Sequence, residues 1–447
     1  MIARDVASGP AYFLSAGTLA GLNGRQQGDA DAVPSVADLP LRKPRLMDDE
    51  ITVLIAASAA RQTLGADQVA AAVEEGIHAA MPSARVMKLS DIEANAGFVE
   101  EIVRLSGGAI REVGLFGLRG EGTAGRLGLF GRPGNLTAVI AIDEAVEPSC
   151  LAQEYRDATR ASSHLAGQLI LAALEHDVRR IIIGCGDSGA NDGGLGMASM
   201  LGIRFLDGAR TEIAEAGGLL RLATIDMSHR DPRLQDVTIE AVVNPSNDLL
   251  GPRGVMRVHG TGRGASPAQV LRLERGLERY SAVVQESLGI DVAALAGGGA
   301  SGGLGAGLVA FLGARLRTRI DFLQVCPEVQ EILGATDLVI TVEDHSDAPP
   351  TADVVTPWNT GAGGPLERVP AWVARQAQAK GLPVISLPGD PSMDSLVNAG
   401  AGALPVVRAA LVTGEQAARH ASARLREAST AALRRVLRGW NRAAEQA

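Results

Sequence analysis

Apolar runs and apolar periodicities alternate along most of the chain. ITVLIAA (51–57) is a continuous apolar run, the pattern of a parallel strand buried on both faces. ADQVAAAVEEGIHAAM (66–81) repeats its apolar residues at helical spacing, and ARVMKLS (84–90) reads as a second strand. Strand, helix and strand in that order predict a right-handed crossover and a parallel sheet. TAVIAID (137–143), VRRIIIG (178–184) and VTIEAVV (237–243) read as further strands, with helices over Ser162–His176 and Pro267–Gly289. TDLVITV (336–342), a helix around Arg368–Gly381 and LPVISLPG (382–389) continue the alternation. Residues 414–447 read as helical and Arg-rich. Their Glu and spaced Leu and Ala fit a packed terminal helix, or one that pairs two copies, better than a nucleic-acid helix. Residues 1–49 mix Gly, Pro, Asp and Arg without a period and read as a partly ordered extension.

The stretch IIIGCGDSGANDGGLG (181–196) carries the densest chemistry. An apolar strand stops, a Gly-rich turn follows, and the helix-like LGMASML begins. Free N–H groups and the positive end of the helix dipole favour an anion at such a place. The turn holds Asp187, Ser188, Asn191 and Asp192. Asp192 reads either as an acid that orients or deprotonates a substrate hydroxyl or as a helix N-cap. Gly184, Gly186 and Gly189 also satisfy a dinucleotide fingerprint, but Asn191 and Asp192 put acidic character where a pyrophosphate would lie.

Three other segments join it. AGGGASGGLGAGLVAFLGA (296–314) reads as a Gly-rich loop entering a helix. Its Gly299, Ser301, Gly302 and Gly303 read either as an anion cradle or as tight helix–sheet packing. HGTGRGASPAQV (259–270) sets Arg263 between glycines, as a phosphate or carboxylate ligand or in a solvated loop. VITVEDHSD (339–347) places Glu343, Asp344 and Asp347 past a strand's C-terminal end, where α/β sheets bind ligands.

Composition narrows the class. The 447 residues exceed one ordinary core, so two domains are expected. The 54 Gly, 46% hydrophobic and 3% aromatic residues fit a globular α/β protein. A net charge of −9 argues against nucleic acid or an anionic membrane as partner. Lysine is confined to Lys43, Lys88 and Lys380, so phosphate contacts fall to arginine. Three isolated cysteines suit a reducing compartment, and Cys185 reads as a small buried filler rather than a nucleophile. The N-terminus lacks a signal-peptide pattern, and a cytoplasmic protein is expected.

Taken together, GCGDSGANDGGLGMASMLGIRFLDG (184–208), VVNP with GPRG (242–254), GGGASGGLGAGLVAFLGARLR (297–317) and DLVIT (337–341) resemble the type I glycerate kinase family. The resemblance implies a flavodoxin-like parallel-sheet domain (50–95 plus 290–415), preceded by the 1–49 extension. A second α/β domain resembling the restriction-endonuclease fold (96–289) is inserted in it, a cleft separates the two, and a helical tail (416–447) follows. It implies ATP- and Mg²⁺-dependent phosphorylation of glycerate or a related small hydroxy acid; the net charge leaves neither nucleic acid nor membrane as the expected partner, and the terminal helix makes a homodimer the candidate assembly. It assigns Asp192, Asn191 and Ser188 to catalysis. Arg61, Arg263, Gly299, Ser301, Gly302 and Gly303 fall to phosphate, and Glu343, Asp347, Asn244 and Arg368 to substrate. On that reading Asp192→Asn costs folding about 1 kcal/mol or less and activity about 100-fold or more.

Several loops depart from the family pattern. The first strand runs into SAARQ (58–62), which loses an acidic residue and offers Arg61 for lysine. The loop after the second strand reads EANAG (93–97), and the turn near 161–167 reads ASSHLAG. GTGRG (260–264) again offers arginine, as does Arg368, and VEDHSDAPP keeps Glu343 and Asp347 but loses glycines. An insertion rich in Pro and Gly (348–366) precedes Arg368. Arginine keeps the charge of lysine but not its shape. Two alternatives therefore stand beside the kinase: a retired kinase fold kept for binding or regulation, and an enzyme with non-kinase chemistry in the same cleft.

Overall fold

The computed structural model of the chain describes residues 51–58, 64–90, 97–118, 120, 122–142, 157–186, 188–244, 247–343, 368–388 and 415–445. The N-terminal extension and the 348–366 insertion lie outside these residues. In chain order the elements begin with β1 (Thr52–Ala57), α1 (Ala66–Ala80), β2 (Arg85–Ser90) and α2 (Phe98–Ser106). Next come β3 (Ala109–Phe116), β4 (Gly122–Arg132), β5 (Asn135–Ala141), α3 (His164–Leu174), β6 (Val178–Gly184) and α4 (Leu195–Met200). They continue with β7 (Arg204–Asp207), β8 (Leu222–Asp226), β9 (Thr238–Val242), α5 (Val255–His259), α6 (Pro267–Leu288), α7 (Ala300–Leu312) and β10 (Arg315–Arg317). The last are α8 (Arg319–Val325), α9 (Pro327–Ala335), β11 (Leu338–Glu343), α10 (Val369–Ala379), β12 (Val384–Pro388) and α11 (Glu415–Glu445).

Among the described residues the main strands form two sheets, ordered β12-β11-β1-β2 and β10-β9-β6-β5-β4-β3. The first is wholly parallel, so β1 and β11 finish side by side, with Ala57 opposite Val342. In the second, β10, β9, β6 and β5 are parallel, while β3 and β4 extend the sheet as an antiparallel hairpin.

Side-chain alternation along β1 explains the stacking. Val53, Ile55 and Ala57 point to one face and pack with α1 and α11, through Val69, Val73, Leu425 and Leu433. Leu54 and Ala56 point to the other, into a core built by Phe98, Ile102, Phe322, Val329 and Trp372. That core also contains Val139, Ile182 and Val242 of the second sheet. The two sheets thus lie on opposite sides of one helical layer, α2 and α8–α10. The second sheet's far face, through Ile140, Ile181, Ile183 and Ala241, packs on α3, α4, α6 and α7. Continuous apolar runs in β1 and β6 are what two covered faces require.

The helical layer between the sheets gives them a shared middle core. Residues 297–317 also pack with the larger sheet, because β10 pairs with β9 and α7 packs among α4–α6. The chain therefore returns to the first sheet after Arg317. No helix among the described residues is long and apolar enough to cross a membrane.

The long terminal helix comes closest to α1 at Gly76. A Cβ on Gly76 of α1 would overlap the Ser429 hydroxyl of α11 and lie 2.5 Å from the Arg426 carbonyl oxygen. Gly76→Val is expected to lift α11 from α1 and cost about 2 kcal/mol or more, read as a lower urea midpoint. An unchanged midpoint would show that α11 contributes little to the fold.

Candidate active site

The larger sheet ends its parallel strands at one edge, and the chemistry-bearing residues gather there. β6 finishes at Gly184 opposite Val242 of β9. The bend, described over 185–186 and 188–194, leaves β6 and turns into α4, while Asn244 stands two residues past the end of β9.

Asp192 holds this edge together. Its Oδ2 accepts hydrogen bonds from the Ser163 N–H at 2.8 Å, the Ser163 hydroxyl at 3.0 Å and the Gly196 N–H at 3.0 Å. Its Oδ1 accepts from the Gly194 N–H at 3.0 Å. Ser163 precedes α3 and Gly194 precedes α4, so one carboxylate sits at the N-terminal ends of two helices, where both dipoles favour negative charge. Ser163 closes the loop by accepting the Met197 N–H at 3.0 Å. Asp192 is 1% exposed. Its Oδ2 already accepts three hydrogen bonds, so turning that oxygen to a substrate requires one donor to yield.

The bend and the glycine-rich segment do not line opposite walls of an open cleft; they are packed against each other. The Ser188 hydroxyl donates to the Ser301 carbonyl at 3.1 Å, and the Ser301 hydroxyl donates to the Gly186 carbonyl at 2.6 Å. The Gly193 N–H reaches the Gly302 carbonyl at 3.2 Å. Gly302 has φ +72°, and a Cβ there would overlap the Ala190 carbonyl, so only glycine fits. A Cβ on Gly299 would overlap the Asp248 carbonyl, and one on Gly303 would come within 2.9 Å of the Gly193 Cα. The glycines let backbones touch, so the packing alternative accounts for Gly299, Gly302 and Gly303. Ser301, 3% exposed with φ +51°, is the structural clasp between the two segments.

Asn191 connects this knot to two loops. Its Nδ2 donates to the Ala158 carbonyl at 3.3 Å, and its Oδ1 accepts from Arg263 Nη1 at 3.5 Å. The same Nη1 lies 3.4 Å from the Ala190 carbonyl. These contacts are long, so the guanidinium is guided to the bend rather than locked on it. Ser188, Asn191 and Asp192 are buried, while Arg263, Asn244, Gly186 and Gly189 are half-buried and form the solvent side of this edge. Asp157, on the loop that Asn191 holds, is fixed by Thr159 and by Gln269 of α6 at 3.0 Å. The hydrogen bonds from Thr159 foremost, with Arg160 and Gln269 behind them, hold the Asp157 carboxyl below the usual range against the opposing effect of burial. Burial pushes the Cys185 thiol up to about 12, as suits a packing residue.

The remaining expected residues belong to the other sheet. Arg61 and Asp347 lie outside the described residues. Glu343 is placed through its backbone, opposite Pro388 at the end of β11. Arg368 immediately precedes α10, which packs on β1 and β11. Among the described residues no group of three or more His, Cys, Asp or Glu is placed to hold a metal ion.

An α/β protein with a packed strand–bend–helix edge and arginine and amide groups on its open side has the parts that recognise small anions. The chain belongs to the glycerate kinase family, whose model matches residues 53–437. It is 34% identical over 339 residues to a glycerate kinase of Halalkalibacterium halodurans, covering 76% of this chain and 85% of that protein. It is 36% identical over 297 residues to the glycerate 2-kinase of Escherichia coli K12, covering 66% and 77%. The crystal structure of a protein assigned as glycerate kinase 2 in Salmonella typhimurium LT2 is similar, with a TM-score of 0.69 and 33% identity over 89% of this chain and 98% of that one.

Asp192→Asn replaces one acceptor oxygen by an amide that faces N–H donors. The structure raises its expected folding cost from about 1 to about 3 kcal/mol, read from urea unfolding at neutral pH. A cost under about 1 kcal/mol would remove the carboxylate from the centre of the knot.

Proposed function

We propose that this protein transfers the γ-phosphoryl group of ATP to a hydroxyl of glycerate or of a related small hydroxy acid. The observation that supports it most is that the family's Ser-Gly-Ala-Asn-Asp bend is kept and that Arg263 leans on its open side. Phosphoryl transfer rests on positioning and charge neutralisation more than on covalent chemistry. Mg²⁺ bound with the nucleotide would neutralise phosphate charge, held mainly by the phosphates themselves.

In this reading Arg263 pairs its planar fork with a substrate carboxylate or a phosphate. Asn191 sets the position of that fork and of the 157–163 loop. Asn244 at the end of β9, Arg368, Glu343 and Asp347 contact the hydroxy acid, and Arg61 supplies charge to the phosphates. The substrate hydroxyl oxygen bonds to the γ-phosphorus as the bond to the bridging oxygen of ADP breaks. Asp192 takes the hydroxyl proton once a Ser163 contact yields. Ser188 acts indirectly, by fixing the bend to Ser301.

Incubation with MgATP and a panel of hydroxy acids is expected to release ADP with glycerate or a close analogue, and nucleotide is expected to raise the melting temperature. Arg263→Ala is expected to lower kcat/KM about 100-fold, with Arg263→Lys in between. Neither ADP release nor a nucleotide-dependent shift with any acid tested would falsify the kinase reading. A nucleotide shift without turnover would favour a binding protein instead.

A further inference from the structure

Tyr280 of α6 is a buried titratable group that the reading above does not use. Its side chain is wholly buried, and its hydroxyl has no hydrogen-bond partner among the described residues. The ring lies against the bend: its Cε1 and Cζ are 3.3 Å from where a Cβ on Gly193 would sit. Leu277 borders the same position, and Phe311 meets the ring edge-on at a centroid distance of 6.2 Å. A phenol held in apolar packing without a partner destabilises the state in which it is found, and phenylalanine would fill the space without that cost. Burial foremost, then the charge of Asp192, pushes the phenol well above its ordinary range, so the group is a donor throughout the working pH range.

Asp192 directly precedes Gly193, the position the ring touches, and its Oδ2 already accepts three hydrogen bonds. Turning that oxygen toward a substrate surrenders one of those donors. We propose that Tyr280 is a positioning residue whose hydroxyl is held in reserve for Asp192, donating to its carboxylate when substrate draws it away from Ser163. The hydroxyl then costs stability in the empty protein and returns it in the loaded one. The proposal rests on the kinase reading for the ligand that opens the clasp, but not for the cost of the unpartnered phenol.

The test compares wild type with Tyr280→Phe by thermal melting, without ligand and with MgATP plus glycerate, and by steady-state kinetics. The variant is expected to melt about 2 °C higher without ligand. Its ligand-induced rise is expected to be smaller than that of wild type, and its kcat about tenfold lower with KM within about twofold. A merely structural tyrosine would move melting temperature without splitting kcat from KM. A variant that melts at or below wild type without ligand overturns the proposal, because the hydroxyl then already has a partner. An equal ligand-induced rise or an unchanged kcat overturns it as well. Wild type that neither turns over nor shifts with ligand sinks the kinase reading and the loaded-state half of the proposal, while the ligand-free comparison still decides the other half.

Discussion

One buried carboxylate organises the functional edge of this molecule. Asp192 lies in the bend after β6, and its oxygens fix the start of α3 through Ser163 and the start of α4 through Gly194 and Gly196. Without it, backbone N–H groups at two helix N-termini would be buried and unmatched, which is expensive. Everything else at this edge is placed relative to that bend: Ser301 is tied to Gly186, Asn191 reaches Ala158, and Arg263 rests on Ala190 and Asn191. The same contacts that give the site its shape also bury the residue expected to do its proton chemistry.

The architecture was largely legible in the sequence because its signals are local. The apolar run VRRIIIG is β6 residue for residue, and the periodic segment at 66–81 is α1 with one residue trimmed. The hairpin β3–β4 escaped notice. Its sequence is rich in Gly and Arg, β3 is mostly exposed, and a solvated sheet extension has no apolar run to announce it. The return to the first sheet was hidden for a similar reason: β10 is three residues long, and its pairing with β9 is set by tertiary contact.

Site residues were legible by type but not by role. Sequence placed Ser188, Asn191, Asp192, Arg263 and Ser301 in suspicious loops, and the fold brings all five together. A glycine-rich stretch has two meanings, though, and spacing does not separate them. A backbone open to an anion and a backbone pressed on another backbone both need glycine. Gly299 and Gly302 are of the second kind, a fact that depends on Asp248 and Ala190 being opposite them. Tyr280 carried no signal, and Ser163 showed only as part of the altered ASSHLAG turn, since the meaning of each comes from a neighbour far along the chain.

The pairing of Gly302 with Ala190 also bears on how the polypeptide acquires its shape as it is made. More than half of the molecule must be synthesised before the segment that completes this edge exists, because the bend comes from near residue 190 and its support from near residue 302. Contacts so distant in sequence are slow to close. The β6 end then waits, half-built and with apolar surface showing, for the arrival of α7, and surface of that kind is what makes folding intermediates prone to aggregate.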